Sequence, residues 1–149
     1  MGIYIIRRES LSNSKVILDK ELNTIGDRIR HSRQLKEMTI KELASIIQVS
    51  QNTISNIERN AVIPSLPHLR KLSDTLDQPI SYLGCFETLP ETTLGQRFKK
   101  ARFYHGLMRI ETAEKLMIDV RTINNWESDR KMPSSVNMPA VEKFIEILK

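Results

Sequence analysis

The stretch from Thr39 to Arg59 reads TIKELASIIQVSQNTISNIER and holds two helical patterns with a tight break between them. Thr39 is a good helix cap, and Glu42 stands three residues later. At that spacing a threonine and a glutamate satisfy each other's backbone N–H groups and open a helix. Leu43, Ala44 and Ile47 follow at helical spacing and mark one buried face. Ser50 is a second cap, opening a helix whose apolar positions are Ile54 and Ile57. Ala44 is small where the two helices would cross, so a larger side chain there would push them apart.

About four residues are left for the turn, which is the geometry of two helices folded against each other to present the second. That second helix, residues 50–59, turns Gln51, Asn52, Ser55, Asn56 and Arg59 outward. Gln51 and Ser55 are four apart, as are Asn52 and Asn56, so they stack on one face. The face holds amides, a hydroxyl and one cation, and no carboxylate. Amide side chains pair bidentately with adenine edges in the major groove, where a carboxylate would repel phosphate.

Residues 25 to 83 resemble the Xre-type, lambda-repressor-like helix-turn-helix family. The residues that carry the likeness are Ile25 to Arg30 in a first helix, Met38 to Ala44 in a second and Val49 to Arg59 in a third, with Pro64-Ser65 before a fourth. Two positions depart from the family pattern. Ile40 stands where the family usually has a phosphate-clamping Gln, and Gln48 where it usually has Gly in the turn. A non-glycine residue at positive φ costs on the order of 1 kcal/mol. The resemblance implies a bacterial or phage type of transcriptional regulator, a repressor, with double-stranded DNA as partner. Gln51, Asn52, Ser55 and Asn56 would touch bases, and Arg28, Arg33, Thr53 and Arg59 phosphates.

The 149 residues suffice for one ordinary domain or two small ones. Lys plus Arg is 23 against 18 Asp plus Glu, a net charge of +5, which suits a polyanionic partner. Cys85 is the one cysteine, so an internal disulfide is excluded and a reducing compartment, the cytoplasm, is expected. No apolar run approaches the roughly 18 residues that span a bilayer. His31, His68 and His105 are not at metal-ligand spacing with one another or with Cys85. No phosphate-binding glycine loop and no nucleophile with a base and an orienter is evident. The sequence therefore gives no case for an enzyme, a metal or a cofactor.

Residues 1–22 fall outside the resemblance and read as an arm or tail, with strand-forming types at 3–6 and Arg7-Arg8 behind them. The first helix runs from Thr24 to Lys36, with Ile25, Ile29, Ser32 and Leu35 inward. Asn60 tolerates the left-handed conformation and ends the third helix. Leu66, Leu69, Leu72 and Leu76 form the core stripe of a fourth helix capped by Ser65, and Pro79 opens a short fifth that Gly84 closes. Residues 23–86 are thus a first domain, and the polar, acidic stretch 87–93 with Pro90 reads as a linker.

After it the pattern starts again. A shift of 69 aligns Gly26 with Gly95, Arg28 with Arg97, Arg33 with Arg102, Ala44 with Ala113, Ile54 with Ile123, Asn56 with Asn125, Glu58 with Glu127 and Pro64 with Pro133. Beyond the prolines the shift is 72, matching Leu69 with Val141 and Leu72 with Phe144. Residues 94–149 therefore resemble the same family more faintly, and the fold class is all-α, two tandem helical domains of five and about four helices. Asp119 takes the cap position of Ser50, Trp126 the core position of Ile57 and Met117 the turn position of Gln48. The capping box of the second helix is expected to be lost at Met108. In helix 119–128, Arg121, Asn124 and Asn125 are candidate base contacts, and Arg109 and Thr122 candidate phosphate contacts. The other functional reading is a protein-interaction module of this fold, an antitoxin or adaptor, whose second unit serves dimerisation or a regulatory protein partner.

Overall fold

The computed structural model describes residues 22–149, and the described residues form helices and turns without a strand. The arm expected at 1–22, with its strand and Arg7-Arg8, lies outside the described residues but for Leu22. Compactness divides the chain into a first unit ending at Ile63 and a second, Pro64–Lys149.

The first unit holds α1 (Ile25–Leu35), α2 (Ile40–Ile47) and α3 (Gln51–Glu58). Each begins where a side chain satisfies an orphan N–H. Thr24 accepts from Asp27 N and Ser50 from Thr53 N, while Thr39 and Glu42 close a reciprocal box at 3.1 and 2.8 Å. α2 ends on Gln48 in the left-handed region, φ 61°, as expected of a position that favours glycine. Ile29, Leu43, Ala44, Ile47, Ile54 and Ile57 are buried and hold the three helices together. Leu35 does not join them: it is 64% exposed. At about 100° per residue it points away from the stripe of Ile29, Ser32 and Arg33 that α1 buries.

The second unit begins with α4 (Leu66–Leu76) and α5 (Ile80–Leu83), followed by a 3-10 turn at Phe86–Thr88. Then come α6 (Leu94–Tyr104), α7 (Arg109–Leu116), α8 (Val120–Glu127), α9 (Met138–Ile145) and a closing 3-10 turn, Glu146–Leu148. The core of this part is Phe98, Ala101, Ala113, Ile123, Trp126, Val141 and Phe144. Phe98 meets Trp126 edge-on at 5.5 Å between ring centroids and Phe144 at 4.9 Å. The stretch 87–93 is tied down rather than loose. Phe86 is buried against Phe103, and Lys100 Nζ donates to the Glu91 carboxylate at 2.9 Å and the Glu87 carbonyl at 3.4 Å. Thr93 then caps α6 with Gln96 as its reciprocal partner.

The bounds of α6, α7 and α8 lie 69 residues beyond those of α1, α2 and α3. The internal contacts repeat as well. Gly26 N donates to Asn60 Oδ1 at 2.9 Å, and Gly95 N to Asp129 Oδ1 at 3.0 Å. Asn60 and Asp129 are both left-handed, φ 60° and 56°. A Cβ on Gly26 would stand 2.6 Å from the carbonyl oxygens of Ile57 and Glu58, and one on Gly95 2.3 Å from that of Trp126. Glycine is needed here because the first helix of each repeat crosses the end of the third with backbone against backbone. One expectation is corrected at the start of α7. Glu111 accepts from Met108 N at 2.8 Å, so half of the capping box survives without a hydroxyl at the cap.

Candidate nucleic-acid interface

α3 is seated from below by Ile54 and Ile57 and from its end by Glu58. Its outer side leaves Gln51 and Asn52 exposed and Ser55 and Asn56 half-buried. Among the described residues no hydrogen bond engages the side chains of Gln51 or Asn52, so both amides are open to a ligand. Arg59 Nη2 donates to Asn56 Oδ1 and its Nε to Ser55 O at 3.4 Å. The amide oxygen of Asn56 is thus engaged, and its NH2 group makes no hydrogen bond among the described residues. Thr53 is half-buried, its hydroxyl 2.8 Å from that of Ser50, and Arg28 Nε donates to Leu22 O at 2.9 Å.

Arg33 is not where a phosphate contact must be. Its Nε and Nη2 donate to the two carboxylate oxygens of Glu58 at 2.6 and 3.0 Å, and its Nη1 to Met38 O at 2.7 Å. The two side chains are 10% and 6% exposed. The guanidinium is a brace between α1, the end of α3 and the approach to α2. Arg102 and Glu127 repeat the arrangement at 2.6 and 3.0 Å, with Arg102 Nη1 on Leu107 O at 2.9 Å. The sequence carried a signal for both braces, an Arg and a Glu 25 residues apart in each repeat.

On α8, Asn124 is exposed and Asn125 and Thr122 half-buried. Arg121 lies on its neighbour Asp119, with Nε and Nη2 at 3.2 and 3.3 Å from the carboxylate. That guanidinium, and then the Arg121 N–H at 2.7 Å, holds the Asp119 carboxyl below the usual carboxylate range, and Asp119 raises Arg121 in turn. The pair is exposed, so it orients Arg121 without committing it. Arg109 is half-exposed and gives its Nε to Glu127 Oε1 at 3.1 Å, making it the second arginine on that carboxylate. Exposed apolar side chains surround this helix: Met108, Ile110 and, in the turn, Met117 at 91%.

Two short capped helices on a tight left-handed turn, with a braced second helix showing an amide face, define a helix-turn-helix domain. The helix-turn-helix family model matches residues 29–83, and that segment is similar to the Xre-type, lambda-repressor-like helix-turn-helix domain. That family is one of DNA-binding transcription regulators. No curated protein and no solved structure matches the chain. Among the described residues no helix is long and apolar enough to cross a membrane.

Proposed function

We propose that the protein is a sequence-specific transcriptional repressor that places α3 in the major groove of double-stranded DNA. The carrying observation is the outer face of α3, where Gln51 and Asn52 are exposed amides that, among the described residues, have no hydrogen-bond partner and no carboxylate beside them. Gln51, Asn52, Ser55 and Asn56 meet base edges, while Arg28, Thr53 and Arg59 meet phosphates. With its oxygen held by Arg59, Asn56 offers donors, which suit the N7 and O6 of guanine.

In this reading residues 23–86 and 94–149 are two repeats of one design, and α8 assists α3 on an extended site. Arg121, Asn124 and Asn125 then face bases, and Arg109 and Thr122 phosphates. The short connection at 87–93 keeps the second repeat near DNA held by the first, so weak binding of its own suffices. The test uses the full chain on a long operator with Arg121→Ala and Asn124→Ala. Each should shorten the footprint or weaken affinity, and Arg109→Ala, which removes a proposed phosphate contact, should reduce the salt slope by about 0.9. If affinity, footprint and salt slope all stay unchanged, the second repeat serves another partner. The apolar side chains around α8 favour that second reading.

A further inference from the structure

The second unit carries two hollows that share a wall. One, of about 590 Å3, is floored by Leu66, Phe103, Met108, Ile110 and Val120. The other, of about 370 Å3, is polar and ringed by Asn124, Ser128 and Arg130. Lys99, Arg109 and Asn124 line both. Among the described residues the one carboxylate that lines either hollow is Glu127, which Arg102 and Arg109 already hold at 2.6 and 3.1 Å. The side chains of Lys99 and Arg130 make no hydrogen bond among the described residues. The surface is therefore half apolar and half cationic, with Lys99 and Arg130 unanswered among the described residues and Arg109 sharing the Glu127 carboxylate with Arg102.

The first repeat differs at the matching positions. Thr39, Lys41 and Gln51 stand where the second repeat has Met108, Ile110 and Val120, and Ile40 and Ala61 where it has Arg109 and Arg130. Polar side chains that could reach a phosphate are gone from one half and cations are added to the other. Ile110 is 63% and Met108 41% exposed, and a duplex reaching over these two would set phosphates against side chains with nothing to donate.

We propose that this surface docks an acidic, amphipathic helix of a partner protein. Apolar side chains at i, i+3, i+4 and i+7 of that helix fill the hollow over Met108 and Ile110, and its carboxylates meet Lys99, Arg109 and Arg130. Charge complementarity selects this occupant: a neutral apolar helix would leave Lys99 and Arg130 unpaired and Arg109 with only its share of Glu127, and a purely acidic one would leave the hollow wet. The docked helix covers Val120 and Asn124, so it removes α8 from DNA. That last consequence rests on the proposed DNA contact of α8, but the docking itself does not.

The test is fluorescence anisotropy with the full chain and three labelled peptides. The first is helical, with leucines on one face and glutamates elsewhere; the second is the same composition scrambled; the third has glutamine for every glutamate. Only the first should bind saturably. Ile110→Glu and Lys99→Glu, both exposed positions, should each weaken it about tenfold or more with the melting temperature unchanged. Lys41→Glu, at the matching place in the first repeat, should not weaken it. Equal binding of the scrambled peptide, no binding of the first, or an unaffected Ile110→Glu chain each overturns the proposal. So does a loss of DNA affinity in Ile110→Glu with peptide binding intact, since the surface is then a DNA contact. Gln51→Ala should impair DNA recognition and leave peptide binding alone, which keeps failure of the DNA reading separate from failure of this one.

Discussion

Replacing Arg33 by methionine separates a brace from a phosphate contact. Methionine keeps most of the stem that packs between α1 and α3 but strips every donor from the Glu58 carboxylate, which is 6% exposed. Removing one partner of a buried pair costs about 3–5 kcal/mol, because the other charge stays buried. The Met38 carbonyl also loses its 2.7 Å donor, worth about 1 kcal/mol more. Against a domain stability of about 5–15 kcal/mol this removes a large share. At about 4–8 °C per kcal/mol the melting temperature should fall by more than ~12 °C. Thermal and urea denaturation followed by circular dichroism give the number. Glu58→Leu alone should be similarly damaging, while the double replacement should recover most of the loss, since no unpaired charge remains. The reasoning fails if Arg33→Met costs less than about 1 kcal/mol and the salt slope of DNA binding falls by about one phosphate.

Ile57→Ala should cost roughly 2–5 kcal/mol and Trp126→Ala roughly 3–5, because each seats the third helix of its repeat; an unmoved thermal transition would contradict the packing. Gln48→Gly and Met117→Gly should each raise stability by about 1 kcal/mol, since both are left-handed and exposed; a lowered melting temperature would show that the turns are unstrained. Arg70, followed by the Met108 N–H, holds the Glu111 carboxyl below the usual carboxylate range. Its folded pKa is depressed, so the contribution is present above the unfolded pKa and is lost as pH falls through the folded one. Arg70→Ala should move the Glu111 titration, read from its carboxyl 13C shift, up toward the usual range, and an unmoved curve would contradict the pairing.

What was legible in the sequence was local. Thr39 with Glu42, Ser50 and Ser65 marked the helix starts because a cap and its N–H lie within one turn. Asn60 marks a left-handed end by its residue type, and Gln48 does so only through the resemblance, which usually places a glycine there. Arg33 reads as a phosphate contact because its partner lies on another helix, and a basic residue on a helix facing DNA looks like one until its burial is known. The cap position Met108 predicts a lost box, whereas Glu111 alone supplies half of it. The apolar type of Leu35 predicts burial, although its angle round α1 puts it in solvent. The ties of residues 87–93 to α6 were hidden because acidic, proline-containing composition is shared by open linkers and by segments that pair with a neighbouring lysine.

The central claim is that the outer face of α3 reads base sequence, and selection of bound fragments from random duplex DNA tests it most directly. The full chain is compared with Gln51→Ala, Asn52→Ala and Asn56→Ala, each with its melting temperature measured. The account predicts one preferred site for the parent chain. Each variant should lose about 1–3 kcal/mol on that site and relax preference at one or two base pairs while remaining folded. Equal weakening on every sequence would mean that these residues position the protein rather than read, and an absence of any selected sequence would contradict the claim outright.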